Sequence, residues 1–237
     1  MEAAARFHGQ VMLITGGTGA LGSAVARAFL QQGAMVGVTY RAQQQYDDLL
    51  GSLSSERAQL RGYQADVTNE ADMQRAVAAV ATEFQRLDGL VNSAGGFSGG
   101  TKLWEMERGV LERMLALNLR SAFVSSRSVL PIFMSQGSGC IVNVAARSAL
   151  DPPGGAGAYV ASKAAALALM HSLAMDLKGT AIRVNSVLPN IIDTAANRRD
   201  MPRANFASWT KPEAIARVIL FLCTPDAQAI NGAAIPV

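Results

Sequence analysis

Tyr159 and Lys163 stand four residues apart in the run Tyr159-Val160-Ala161-Ser162-Lys163. On a helix that spacing puts a phenol and an ammonium on one face. A cation beside a phenol favours phenolate and lowers its pKa toward neutrality. Such a phenol can give a proton to a carbonyl oxygen or take one from an alcohol. The pattern is common, and taken alone it describes a surface pair equally well.

A second segment suits a different task. Thr15-Gly16-Gly17-Thr18-Gly19-Ala20-Leu21-Gly22 follows the apolar run Val11-Met12-Leu13-Ile14 and precedes a helical pattern. Glycines at 16, 19 and 22 permit a sharp turn, close approach of a pyrophosphate and packing of helix on strand. The helix N-terminus beyond offers unpaired N–H groups to an anion. Gly16, Thr18, Gly19, Ala20 and Leu21 are therefore the candidate phosphate-binding residues. A carboxylate ending the second strand would bond the adenosine ribose hydroxyls and select NAD. This chain has Tyr40 and then Arg41, with no carboxylate before Asp47. A guanidinium fork fits a 2′-phosphate, which favours NADP(H) over NAD(H).

The elements that must position these residues alternate between strand and helix. Strands are expected at Val11–Ile14, Met35–Thr39, Leu60–Gln64, Gly89–Val91, Gly139–Ala145, Ile182–Leu188 and Ala233–Val237. Helices are expected at Ser23–Gln32, Leu49–Ala58, from Asn69 with Asp72 completing a capping box, Val110–Ser135 and Ala158–Leu177. A last helix is expected to open at Thr210-Lys211-Pro212-Glu213, with Thr210 as N-cap and Glu213 reaching back. Residues 190–210 are rich in Asn, Arg and Pro and lack periodicity, as expected of a substrate loop or lid. Repeated βα units require a doubly wound parallel sheet of about seven strands with helices on both faces. All 237 residues fit one domain.

Composition narrows the classes. Half the residues are hydrophobic and 16% are charged, a lean surface that points to a subunit interface. Net charge is +3 with no Lys/Arg run, which argues against nucleic acid and membrane surfaces as partners. Cys140 and Cys223 lie in apolar segments and read as reduced packing residues. No metal-ligand spacing occurs, and His8 and His171 stand alone. Neither a signal-peptide core nor an uncharged span long enough for a bilayer is expected, which suits a cytoplasmic protein.

In combination these pieces are specific. The chain resembles the short-chain dehydrogenase/reductase family over nearly its whole length, through Thr15 to Gly22, Asp66-Val67, Asn92-Ser93-Ala94-Gly95, Asn118, Tyr159 with Lys163, and Pro189 to Thr194. The resemblance implies a Rossmann-type NAD(P)(H)-binding domain. It implies that Asp66 bonds the adenine amine with Val67 beside it, that Asn92 and Ala94 line the cofactor's path, and that Gly95 lets it approach. Tyr159 would be the general acid/base. Lys163 would also hold the nicotinamide ribose, Asn118 would support a proton-relaying water, and Pro189, Ile192 and Thr194 would meet the nicotinamide end. It further implies a homodimer or homotetramer through the two long helices, with Ala164-Ala165-Ala166 allowing close approach.

The departures matter. Ala20 stands where the family has Gly, and Asn190 follows the proline where Gly is usual. The family's substrate-orienting serine falls on Ala146. Either Ser148 reaches in or the chemistry proceeds without that hydroxyl. Alternation along an extended segment makes the first option awkward, because it passes through Arg147. Dihydropteridine reductases, a branch of the same family, also carry alanine there. The loop from Leu188 to Thr210 is similar to theirs, although that branch has aspartate where this chain has Tyr40-Arg41. Hydride transfer to or from a small carbonyl or alcohol is the expected chemistry, reduction of a quinonoid pterin its alternative. A non-catalytic NADP(H)-sensing protein is the alternative from another class. Trp104, Met201, Phe206 and Trp209 are the candidates for the substrate pocket.

Overall fold

In the computed structural model, which describes residues 6–237, the strands are β1 (Val11–Thr15), β2 (Met35–Tyr40), β3 (Leu60–Gln64), β4 (Gly89–Asn92), β5 (Ser138–Val144), β6 (Ala181–Leu188) and β7 (Ala234–Pro236). The helices are α1 (Ala20–Gln31), α2 (Gln43–Gly51), α3 (Glu70–Phe84), α4 (Arg108–Met114), α5 (Ser121–Gln136), α6 (Gly157–Asp176), α7 (Ala195–Asp200) and α8 (Pro212–Cys223). All seven strands pair in parallel, in the order β3-β2-β1-β4-β5-β6-β7. This is the Rossmann-type sheet expected from the βα alternation. β1, β4 and the central part of β5 are buried on both faces, which is why they read as continuous apolar runs.

The topology locates the crevice. The chain builds outward from β1 to β3, then returns to place β4 on the other side of β1. Ligands of open parallel sheets bind outside the carboxyl ends of the strands at such a reversal. Two apolar cores flank the sheet. One holds Phe29, Val36 and Ile219 under α1 and α8, the other Leu13, Val80, Phe133 and Ile141 under α3 and α5. Cys140 and Cys223 are free thiols buried beside the first core.

Several expected boundaries are corrected. The helix expected at Leu49–Ala58 lies earlier, at Gln43–Gly51, and Ser55–Gln59 is a 3₁₀ turn. α2 buries only Leu49, so its periodicity is weak. The long helix from Val110 is interrupted by a π-helical turn at Leu115–Arg120. Thr210 is not the N-cap of α8. Lys211 occupies that position, and no side chain caps the helix. Thr210 is instead tied to the loop, its N–H donating to Ile191 O at 3.2 Å and its carbonyl accepting from Asp193 N at 2.9 Å. The expected capping box on α3 is half made. Asn69 Oδ1 accepts from Asp72 N at 3.1 Å, but the Asp72 carboxylate turns to Asp66 N at 2.9 Å.

Among the described residues one helix is long and apolar enough to cross a membrane by length and composition, though Lys163 interrupts it, so it is not an uncharged span. It is α6, with mean hydropathy 1.2. Its apolar residues Ala166, Leu167 and Met170 are buried in the fold, and it carries the buried Lys163.

Candidate active site

The glycine turn meets α1 as the spacing predicts. Gly22 has no room for a side chain, since a Cβ would lie 2.3 Å from Gly16 O. No side chain caps α1 and no acidic residue occupies its first turn. Its N-terminal N–H groups and partial positive charge are thus left for an external anion. Gly16, Thr18, Gly19, Ala20 and Leu21 surround that terminus. Gly16 N–H is fixed by Thr39 Oγ1 at 3.0 Å, and the Thr18 hydroxyl lies 3.5 Å from Gln45 Oε1.

The segment Ser93–Gly96 runs from this turn to the Tyr159 helix. Ser93 Oγ donates to Thr15 O at 2.6 Å, and Ala94 N donates to Thr15 Oγ1 at 3.3 Å. A Cβ on Gly95 would lie 2.7 Å from Asn118 Oδ1 and 3.3 Å from Lys163 Nζ. The phosphate turn and the titratable pair are therefore two ends of one continuous surface at the carboxyl edge of β1 and β4. Asn92, at the start of the segment, turns the other way. Its side chain is buried and donates to Ser126 Oγ at 3.0 Å, so it is not available to a ligand.

Lys163 is buried on α6. Its Nζ donates to Val144 O at 2.8 Å, and burial lowers its pKa to about 8. Asn118 comes from the π-helical turn and is also buried. Its Nδ2 donates to Ser162 Oγ at 2.9 Å and to Gly96 O at 3.0 Å, while Oδ1 accepts from Gly96 N at 2.9 Å. Ser162 Oγ donates in turn to Tyr159 O at 2.7 Å. This network ties α6, the π turn and the Gly95-Gly96 segment together.

The expected lowering of the Tyr159 pKa by Lys163 is overturned. Burial pushes the phenol above its ordinary value of 10, and the one opposing influence is the hydroxyl of Ser148. The Lys163 ammonium faces Val144 O instead. The objection to Ser148 is overturned as well, because Arg147–Ala149 is a 3₁₀ turn and not an extended segment.

On the adenosine side, Arg41 is exposed, and its guanidinium makes no hydrogen bond or ion pair among the described residues. Tyr40 stacks on Tyr46 with ring centroids 5.1 Å apart and donates to Gln43 Oε1 at 2.7 Å. Asp66 is exposed, and one of its oxygens accepts from Thr68 N and Oγ1 at 2.9 and 2.8 Å. Val67 packs against the second core.

Pro189 follows β6, and its carbonyl accepts from Arg147 N at 2.8 Å. Residues 190–210 are more ordered than expected. Ile192 bridges to Thr210, Thr194 Oγ1 caps α7 by accepting from Asn197 N at 3.1 Å, and Asp193 pairs with Arg198 through two bonds of 2.6 and 2.8 Å.

Among the pocket candidates, Trp209 is only 9% exposed and packs on Phe206, whose ring lies under the Arg198 guanidinium. Both are loop packing. Trp104 is 80% exposed and Met201 37%. Sequence reasoning missed Phe97, which is 70% exposed with its ring edge-on to Tyr159 at 4.9 Å. It sits in the run Gly95-Gly96-Phe97-Ser98-Gly99, where no periodicity marks it.

Comparison with known proteins decides the family. The family described as short chain dehydrogenase matches residues 10–204. The chain belongs to this family. It is 33% identical to meso-2,3-butanediol dehydrogenase of Serratia marcescens, over 98% of this chain and 94% of that one. It is 32% identical to D-threitol dehydrogenase of Mycolicibacterium smegmatis, covering 96% and 91%. The 3-ketoacyl-(acyl-carrier-protein) reductase of Brucella melitensis complexed with NADH has a similar structure, with TM-score 0.86, 28% identity and 97% of each chain covered. ElxO with NADP bound superposes with TM-score 0.91 at 25% identity, covering 96% of each chain. The chain is an oxidoreductase of the short-chain dehydrogenase family, which uses NAD(P)(H).

Proposed function

We propose that this oxidoreductase prefers NADP(H) and interconverts a small carbonyl compound with its alcohol, with Tyr159 as general acid/base. The observation that carries the reading is the Ser93–Gly96 segment. It touches the phosphate turn through Thr15 and borders Asn118 and Lys163 at Gly95. The α1 terminus and this segment would hold a dinucleotide so that its nicotinamide end would lie on the Tyr159 side.

The cradle suits such a cofactor, since the α1 N-terminus is left uncapped and the glycines let the turn pack on α1 at Gly22 and the Ser93–Gly96 segment pack on Asn118 and Lys163 at Gly95. When bound, the nicotinamide supplies or accepts the hydride. Gly16, Thr18, Gly19, Ala20 and Leu21 hold the pyrophosphate. Arg41 meets the 2′-phosphate beside Tyr40, and Asp66 and Val67 bracket the adenine. Ala94 and Gly95 line the path together with the Asn92 backbone, and Pro189, Ile192 and Thr194 border the nicotinamide end. Lys163 holds the ribose. Tyr159 exchanges a proton with the substrate oxygen, and Asn118 and Ser162 keep α6 in register with the Gly96 segment. Phe97 forms an aromatic wall against Tyr159.

The alcohol and ketoacyl names of the relatives favour this reading over pterin reduction and over a cofactor sensor without catalysis. NADPH oxidation with 2,3-butanedione, phenylglyoxal and quinonoid dihydropterin tests it. The diones are expected to turn over. Tyr159→Phe is expected to lower kcat by about 10²–10⁴-fold while keeping NADPH affinity. Undiminished turnover by that variant refutes the reading.

A further inference from the structure

Ala146 stands thirteen residues before Tyr159, and its buried methyl offers no hydrogen-bond donor. Beyond it the chain leaves the extended conformation (Ala146 φ −158°, ψ 150°) and closes a tight turn. Ala149 N donates to Ala146 O at 3.0 Å, and Leu150 N and Asp151 N both donate to Arg147 O, at 3.0 and 3.1 Å. Arg147 N is anchored to Pro189 O at 2.8 Å, so the turn is fixed to the start of the 190–210 loop. The turn takes Ser148, two residues beyond Ala146, out of the strict alternation of an extended segment.

The Ser148 hydroxyl oxygen is buried and has no aligned hydrogen-bond partner. It nevertheless stands close enough to Tyr159 to draw the phenol pKa down against burial. Buried hydroxyls are nearly always paired, so an unpaired one beside a reactive group is available to bond a ligand or a water. A substrate oxygen placed at the phenol would satisfy it.

We infer that Ser148 is a catalytic residue, whose hydroxyl joins Tyr159 in holding the substrate oxygen and replaces the donor that Ala146 lacks. The inference rests on the proposed carbonyl/alcohol chemistry. In the reducing direction, a hydride brings two electrons to the carbonyl carbon from NADPH, which becomes NADP⁺. The C=O π pair moves onto oxygen, and that oxygen takes the Tyr159 proton. Ser148 keeps its own proton and donates a hydrogen bond throughout. It stabilises the charge building on oxygen, and in the resting enzyme it favours phenolate.

The test has two readouts. With 2,3-butanedione and NADPH, Ser148→Ala is expected to lower kcat by about 10²-fold, as loss of one oxyanion donor does, with NADPH affinity within twofold of the parent. Ser148→Thr keeps the hydroxyl and is expected to retain most of the rate. The second readout needs no turnover. Carbon-13 NMR of ring-labelled tyrosine, assigned with Tyr159→Phe, follows the Tyr159 titration with NADP⁺ bound. Ser148→Ala is expected to raise that pKa and Ser148→Thr to restore it. A Ser148→Ala phenol that titrates where the parent's does, or a kcat within twofold, overturns the inference. Failure of the underlying reading is distinguishable, because it appears as undiminished NADPH oxidation in Tyr159→Phe.

Discussion

Asn118 grips Gly96 by both backbone groups, its Oδ1 accepting the N–H at 2.9 Å and its Nδ2 donating to the carbonyl at 3.0 Å. The same Nδ2 reaches Ser162 on the Tyr159 helix. The amide therefore fixes the distance between the cofactor-side segment and α6. Asn118→Ala leaves Gly96 N–H, Gly96 O and Ser162 Oγ to find other partners. Unmade bonds to buried groups cost about 1–3 kcal/mol each, so a clear fall in thermal midpoint is expected. Turnover should fall by more than cofactor affinity, because Tyr159 loses its register. Calorimetry with kcat and KM on 2,3-butanedione checks this. An unchanged midpoint would show the network to be dispensable.

The proposed preference for NADP(H) rests on Arg41. Its guanidinium is exposed, has no partner among the described residues and follows Tyr40 at the end of β2. A charge-assisted bond to a phosphate is worth about 1.5–3 kcal/mol, so Arg41→Ala should weaken NADPH binding by about 10–100-fold. NADH binding should change little, because NADH has no 2′-phosphate. Fluorescence titration with both cofactors measures the ratio. Equal losses for the two would mean that Arg41 contributes only general charge.

Much of this site was legible in the sequence because its signals are local. The Gly16–Gly22 turn, the Asn69 cap and the Tyr159/Lys163 spacing each depend on a few consecutive residues. What was misread depends on the rest of the chain. Thr210 has the type and spacing of an N-cap, but the Ile192 bridge claims its backbone. The π turn at Asn118 keeps the apolar pattern of an α-helix and so left no trace. Ser148 was discounted because alternation describes a strand, whereas the chain turns at Arg147. The influence of Lys163 on Tyr159 was overrated for a similar reason. Helical spacing gives a shared face but does not say that the ammonium bonds Val144 O.

Lys163 makes stability depend on pH. Its folded pKa is about 8, lowered by burial from an ordinary 10.5. Above about pH 8 the folded chain has released this proton while the unfolded chain still holds it. The unfolded state then binds more protons, so stability rises with pH. The Cys140 and Cys223 thiols and Tyr159 also have shifted pKa values, but they are common to parent and variant, so a comparison over the window pH 8–10 isolates Lys163. Across it the parent should gain of order 2 kcal/mol relative to Lys163→Met, which has no proton to lose. Urea unfolding of both proteins at pH 8, 9 and 10 measures the difference. Parallel curves would mean that the ammonium is better solvated than its burial implies.

The outer face of the π turn, α5 and α6 carries an apolar groove of about 490 Å³, lined by Leu115, Leu119, Phe123 and Leu169 with Glu112 and Arg120 at its rim. Phe123 is exposed. Apolar surface of this kind, rimmed by charge, is typical of a protein contact. A second copy suits it, because a two-fold contact presents the same patch twice and the patch carries both an acidic residue, Glu112, and a basic one, Arg120. The expected state is a homodimer or homotetramer. Leu119→Asp places a charge in the groove. It should dissociate the oligomer while the monomer still binds NADPH. Sedimentation velocity at micromolar concentration reads the outcome directly. A parent chain that sediments as a monomer, or a variant that stays assembled, would remove this groove as the contact.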